Sequence, residues 1–144
     1  MEQTLAIFKP DCIERKLMGK IITMIENADF AILDIKMVQL TTTAARAFYA
    51  VHKGKPFFEK LIEFMTENPI LVAVLQKENA VQDWRDLMGD TDPEHAGDGT
   101  IRNEFGETVR RNTVHGSDSV THAKEEIAFF FSRNELLRIN PQKS

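Results

Sequence analysis

The hydrophobic positions along this chain follow two spacings, one typical of strands and one typical of helices. Short apolar runs at residues 4–8 and 70–75 predict strands, the latter buried on both faces of a sheet. Alternating apolar residues at 30–40 predict another strand, and the apolar run at 127–131 predicts the last one.

The stretches between these runs carry apolar residues at helical spacing. A threonine can cap residues 43–51, Pro56 suits the first turn of the next helix, and Asn79 can cap a further one. The predicted helices are residues 16–28, 43–51, 56–68, 80–88 and 119–126. Residues 89–100 form a long polar loop, and a loop of that length is more often functional than not.

This order of elements predicts a ferredoxin-like βαββαβ sandwich of the α/β (α+β) class. We expect a four-stranded antiparallel sheet covered by helices packed on one face, with an extra loop after the helix that follows the third strand. The length of 144 residues fits a single domain, which we place at 1–139, followed by a short tail at 140–144.

Composition narrows the class of protein further. The single cysteine, Cys12, excludes an internal disulfide framework and a CxxC metal knuckle. The net charge of −4 argues against binding nucleic acid through bulk electrostatics, so no nucleic-acid partner is expected. There is no leader pattern and no apolar run near about 18 residues, so we expect a cytoplasmic protein with no membrane partner.

The candidate chemistry centres on residues 111–119, which read RNTVHGSDS. His115 follows an apolar pair and precedes a glycine and several hydroxyl residues, as a nucleophile at a strand-to-helix turn would. A buried structural histidine fits the same pattern. Glu126 lies on the flank of the inward face of the next helix and could hold His115 directly or through Ser117, although a surface glutamate is the alternative.

Other motifs indicate little by themselves. His122 and Glu126 stand four apart on a helix, but no third ligand has a suitable spacing for a metal. A calcium loop starting at Asp90 fails, because its sixth and twelfth positions are His95 and Ile101. No P-loop or Rossmann glycine motif occurs.

Taken together, six segments resemble the nucleoside diphosphate kinase family, and the resemblance covers residues 4–131. No single segment is specific, but their joint order and spacing are. The segments are IFKPD at 7–11, FYA at 48–50, KPFF at 55–58, RDLMG at 85–89 with Thr91 and Pro93, GTIR at 99–102, and NTVHGSDS at 112–119.

The resemblance implies a ping-pong transfer of the γ-phosphate of a nucleoside triphosphate, mainly ATP, to nucleoside diphosphates. His115 matches the nucleophile that becomes a phosphohistidine. The residues that match phosphate and ribose contacts are Lys9, Tyr49, Arg85, Thr91, Arg102 and Asn112. Phe57 and Val109 match the residues on either side of the base, Ser117 and Glu126 match the pair that orients the histidine, and His52 matches a residue that touches phosphate in some members.

The resemblance also implies Mg²⁺ carried on the nucleotide phosphates, with no metal ligand from protein side chains. It implies a homo-oligomer, either a tetramer or a hexamer. Val51 stands where many relatives carry an acidic residue, and Asp92 stands where asparagine is common. Both departures lie near the phosphate contacts rather than in them, so we expect altered loop packing or assembly and retained activity.

The implied roles agree with the chemistry. Fixed cations stabilise charge spread over the oxygens of a transferred phosphoryl group. Imidazole is largely neutral near neutral pH, so Glu126 serves to aim the ring rather than to activate it. Stacking without contacts to the base edge predicts low discrimination among bases.

Two other functions compete with this one. A nucleotide-binding module without turnover would bind ADP and form no phosphohistidine, but the complete set of site residues disfavours it. A ferredoxin-like nucleic-acid-binding domain is disfavoured by the net charge and by the lack of an aromatic RNP pattern.

Overall fold

A computed structural model describes residues 1–132 of the chain. Its strands form one sheet in the order β2-β3-β1-β4, and every neighbouring pair is antiparallel. The strands are β1 (Glu2–Phe8), β2 (Ala31–Val38), β3 (Ile70–Lys77) and β4 (Val114–Gly116). The predicted ferredoxin-like antiparallel sheet is therefore confirmed.

Seven α-helices connect and follow these strands within the described residues. They are α1 (Pro10–Glu14), α2 (Met18–Asn27), α3 (Thr42–Phe48), α4 (Phe58–Thr66), α5 (Ala80–Met88), α6 (Ile101–Phe105) and α7 (Val120–Phe130). Short 3₁₀ turns occupy Ala50–His52 and Pro93–His95. None of these helices is long and apolar enough to cross a membrane, a finding that extends only to residues 1–132.

The predicted strand at residues 127–131 is wrong. Most of this apolar run is the last part of α7, in which Ala123, Ile127 and Phe130 are buried at helical spacing. A short apolar run cannot be assigned to strand or helix from its hydrophobicity alone. The fourth strand is instead the three-residue β4, in which His115 pairs with Ile7 of β1. Val120, the first residue of α7, is 42% exposed.

The expectation that helices cover only one face of the sheet is also wrong. Successive residues of a strand point to opposite faces, and β1 is apolar on both. Leu5 and Ile7 pack against α3, α4 and α7, whereas Ala6 and Phe8 pack against α1, α2, α5 and α6. Strands apolar at nearly every position must be buried on both sides, so helices form two outer layers.

This arrangement brings distant segments together at one edge of the sheet. The last residue of β1 pairs with the first residue of β4, so Lys9 and the stretch leading into His115 become neighbours. Helix α7 starts after β4 with Ser119 as its cap, whose hydroxyl accepts a hydrogen bond from His122 N at 3.1 Å. The predicted domain end at residue 139 and the tail at 140–144 lie outside the described residues.

Candidate active site

An open cavity of about 710 Å³ lies at the ends of β1 and β4. Ten of the twelve site residues predicted from the sequence line it, and the other two, Ser117 and Glu126, contact each other beside His115. The ten are Lys9, Tyr49, His52, Phe57, Arg85, Thr91, Arg102, Val109, Asn112 and His115. Residues separated by more than 100 positions in the chain thus share one cavity.

Glu126 holds one nitrogen of the His115 ring. Its Oε1 lies 3.0 Å from His115 Nε2 and also accepts a hydrogen bond from Ser117 Oγ at 2.9 Å. A carboxylate only accepts, so Nε2 carries the proton in a neutral ring and Nδ1 keeps a free lone pair. The contact is direct, and the alternative of a solvated surface glutamate does not apply.

The backbone of His115 is held from a different side. Trp84 is fully buried and donates from its indole nitrogen to the His115 carbonyl at 3.2 Å. The next residue, Gly116, sits so close to this ring that a Cβ would lie 2.5 Å from Trp84 Cδ1. The ring of Phe48 meets the imidazole edge-on with centroids 5.8 Å apart. The nucleophile candidate is therefore fixed in position by packing as well as by Glu126.

A strained turn precedes β4. Thr113 has φ of 78°, a left-handed conformation that is unfavourable for a β-branched residue. Its carbonyl accepts from Lys9 N at 2.9 Å, and its N–H donates to Asp11 Oδ2 at 3.1 Å. Asp11 is only 1% exposed, and burial raises the pKa of its carboxyl. No role for Asp11 was predicted from the sequence, although it belongs to the IFKPD segment that carried the resemblance.

Two of the cations that line the cavity, Lys9 and Arg102, are buried. Lys9 Nζ donates to Asn112 Oδ1 at 2.7 Å, and burial, with help from the charge of Arg102, lowers the Lys9 pKa to about 8. Arg102 donates to the carbonyls of Gly89 at 3.0 Å and Val114 at 2.8 Å. Burial, together with the charge of Arg85, lowers the pKa of Arg102 to about 10. Buried cations that face one another favour a multiply charged anion.

The rest of the lining is aromatic or apolar. The Tyr49 hydroxyl is buried without a hydrogen-bond partner among residues 1–132, and burial raises the Tyr49 pKa. Burial lowers the pKa of His52, whose ring lies 5.3 Å from that of Phe57. Phe57 and Val109 are 42% and 56% exposed, which leaves apolar surface available to a flat ring.

Residues 1–132 contain no group of three or more His, Cys, Asp or Glu side chains that could hold a metal ion. His122 contacts Asp118 rather than acting with Glu126, and this contact raises the pKa of His122. Within the described part of the chain, Asp90 is the one carboxylate that lines the cavity.

A family model for nucleoside diphosphate kinase matches residues 2–136, which is nearly the whole chain. The chain belongs to the nucleoside diphosphate kinase family. The resemblance seen in the sequence segments is confirmed, and the protein is an enzyme that transfers phosphate to nucleoside diphosphates. Members of this family generally need a divalent metal.

Relatives of this kinase are similar to it over nearly their full length. The nucleoside diphosphate kinase of Geotalea uraniireducens is 51% identical over 137 residues, which cover 95% of this chain and 100% of that protein. The nucleoside diphosphate kinase of Trichlorobacter lovleyi is 52% identical, with coverage of 95% and 99%.

Solved nucleoside diphosphate kinases share the fold of this kinase. The Aquifex aeolicus enzyme matches with a TM-score of 0.91 and 41% identity, covering 93% of this chain and 97% of that one. The Halobacterium salinarum enzyme, solved in complex with CDP, matches with a TM-score of 0.90 and 36% identity, with coverage of 93% and 90%.

Proposed function

We propose that this kinase works by a ping-pong mechanism in which His115 carries the phosphoryl group. The observation that supports this most is the pairing of His115 Nε2 with Glu126, since it leaves Nδ1 as the nucleophile in a cavity lined by Lys9, Arg85 and Arg102. Splitting the transfer through a covalent intermediate replaces one difficult step by two easier ones.

In the first half-reaction the Nδ1 lone pair attacks the γ-phosphorus of a nucleoside triphosphate, mainly ATP. The bond from this phosphorus to the bridging oxygen breaks, and the diphosphate leaves with the electron pair. In the second half-reaction a terminal oxygen of another nucleoside diphosphate attacks the phosphorus, and the N–P bond breaks. The imidazole is then neutral again, so the enzyme returns to its starting state.

The side chains around His115 have separate roles in this proposal. Lys9, Arg85 and Arg102 neutralise the phosphates, and a preorganised buried cation does so without reorganising at the moment of reaction. Tyr49 offers an unpartnered buried hydroxyl. Thr91 and Asn112 contact phosphate and ribose, and His52 also touches phosphate. Phe57 and Val109 enclose the base, and Ser117 acts with Glu126 to aim the ring.

We further propose that the divalent metal is Mg²⁺ and that the nucleotide phosphates hold it. The lining has several cations and few carboxylates, which fits a site that binds the metal through its phosphates. When bound with the nucleotide, Mg²⁺ would neutralise part of the phosphate charge.

We propose a homo-oligomer, a tetramer or a hexamer, as the working form. Among residues 1–132, strand β2 is at one edge of the sheet and leaves Ile35 39% and Met37 48% exposed. Exposed apolar residues on an edge strand favour association. Light scattering would give the mass as a multiple of 16.4 kDa. The cytoplasmic location stays a prediction.

The mechanism is tested by incubating the enzyme with ATP labelled on its γ-phosphate. We expect the protein to become labelled through a bond that is labile in acid and stable in base. His115→Ala should abolish labelling, whereas His122→Ala, which changes an exposed histidine, should not. Labelling that persists without His115 would refute the assignment, and ADP binding without labelling would favour a module that binds nucleotide but does not turn it over.

A further inference from the structure

The turn formed by residues 107–111 presents two side chains to the cavity. Backbone hydrogen bonds close it, from Glu107 N to Arg111 O at 2.8 Å and from Thr108 N to the same oxygen at 3.3 Å. The Thr108 hydroxyl accepts from Arg111 N at 2.9 Å. Val109 and Arg110 lie at the tip of this closed turn, and both line the cavity.

The turn is docked on α4 through Arg111. The Arg111 guanidinium donates to Glu67 at 3.1 Å and lies 5.0 Å from the centre of the Phe64 ring. The N-terminal end of the same helix carries Phe57 and Leu61, which also line the cavity. Arg110 therefore faces the cavity from a turn anchored to the helix that supplies the aromatic base platform.

Arg110 differs from three basic residues near it and resembles Arg85, which also lines the cavity with no side-chain hydrogen bond or ion pair among residues 1–132. Lys9, Arg102 and Arg111 each donate to a protein acceptor. The Arg110 guanidinium is exposed and has no hydrogen bond or ion pair with any of residues 1–132. Its position in the cavity lining, without a competing acceptor, leaves its donors available to a ligand.

We propose that Arg110 is a specificity-determining residue that donates hydrogen bonds to the edge of the bound base. This rests on the proposed function, in which the base lies between Phe57 and Val109. A guanidinium offers five donors and no acceptor, so it favours base edges that present acceptors. Guanine presents O6 and N7 side by side and can accept both arms of the fork, whereas adenine and cytosine place an amino donor on the corresponding edge.

Arg110 thus adds selection to a site that stacking alone would leave permissive. We expect guanine nucleotides to be preferred over adenine and cytosine nucleotides by about fivefold to tenfold, the lower part of the range for a bidentate arginine–guanine pair, because Arg110 is exposed. Nucleotides of uracil and thymine, which present one carbonyl oxygen, O4, on the corresponding edge, should fall between these groups.

Equilibrium binding of GDP, ADP and CDP to the full chain tests the proposal without requiring turnover. Arg110→Ala should weaken GDP binding by about fivefold to tenfold and bring the three affinities together. Arg110→Lys keeps the charge but loses the fork, so it should also reduce the preference for GDP while general affinity is retained. Arg46→Ala removes an exposed arginine that is paired with Glu59, and neither residue lines the cavity, so this variant should leave all three affinities unchanged.

The result that overturns the proposal is an equal weakening of all three nucleotides in Arg110→Ala, since it would place Arg110 on the phosphates. Unchanged affinities in that variant would also overturn it. Labelling of His115 is measured on the same preparations, so failure of the phosphohistidine mechanism is seen separately from failure of base selection.

Discussion

Raising the pH from 7 to 9 should weaken nucleotide binding, because it removes the proton from Lys9. This lysine is 8% exposed, and burial together with the charge of Arg102 lowers its pKa to about 8. A neutral amine no longer attracts phosphate. The phosphates of ADP change charge little over this range, since their last proton is lost near pH 6 or slightly above.

The size of the effect follows from the fraction of Lys9 that is protonated. If only the protonated form binds, the apparent Kd scales as one plus ten to the power of pH minus pKa. With a pKa of about 8, the Kd at pH 9 is about ten times the Kd at pH 7. Binding should also take up a proton above pH 8, because the bound phosphates raise the Lys9 pKa.

The titration of Lys9 does not weaken nucleotide binding at high pH by unfolding the protein. The folded-state pKa lies below the value of 10.5 for an ordinary lysine, so the unfolded chain binds more protons between about pH 8 and 10.5. Lys9 therefore makes the folded state relatively more stable as pH rises through this window. Weaker binding at pH 9 would not reflect unfolding caused by this group.

Isothermal titration of the enzyme with ADP and Mg²⁺, in two buffers of different ionisation enthalpy, gives both the Kd and the proton uptake. Lys9→Arg keeps its charge across the range and should give a flat profile. Asp11→Asn removes the negative charge that raises the Lys9 pKa. Nucleotide binding by this variant should therefore begin to weaken at a lower pH. A wild-type Kd that stays constant from pH 7 to 9.5, or an equal slope in Lys9→Arg, would refute this reasoning.

Three further predictions concern residues of β4 and α7. Gly116→Ala places a Cβ 2.5 Å from the buried tryptophan of α5 and should destabilise the fold by about 1–3 kcal/mol in thermal unfolding, whereas Gly19→Ala, with nothing within 4 Å, should not destabilise it. Glu126→Ala should lower kcat by up to about a hundredfold with little change in nucleotide Kd, and an unchanged kcat would contradict the aiming role. Proton NMR should show His122 titrating above its ordinary pKa of 6.5 and returning toward that value in Asp118→Asn. This pair stabilises the fold fully below pH 6.5 and loses its effect as pH rises through the folded-state pKa of His122, so an unshifted titration would contradict it.

Several elements could be predicted because their signal is local. The apolar residues of β1 and β3 are consecutive, and the apolar residues of α2, α4 and α5 recur at helical spacing. Caps also act over a few positions, as in Thr41, whose hydroxyl accepts from Ala44 N at 3.0 Å. In these segments the order of apolar and polar residues is enough to predict which side chains are buried.

Strand β4 could not be predicted, because three residues are too few to show a period of two. It is a strand only because β1 pairs with it, and the pairing of Ala6 with Gly116 joins residues far apart in the chain. The run at 127–131 contains no charged residue, so the sequence does not show which of its side chains would be exposed. Its helical face is defined by the burial of Ile127 and Phe130 in the core. Contacts between residues distant in the chain decided both cases.

The sequence by itself determined which chemical groups this kinase has and the order in which they occur, and that order was specific enough to indicate its family. Only the tertiary structure decided which of these groups are in contact and how burial and neighbouring charges shift their pKa values. It placed Asp11 against Thr113, aimed Nε2 of His115 at Glu126, and left Arg110 without a partner among residues 1–132. The physical reason is that these hydrogen bonds and this burial depend on contacts between residues distant in the chain. Such contacts produce no periodic pattern in the sequence.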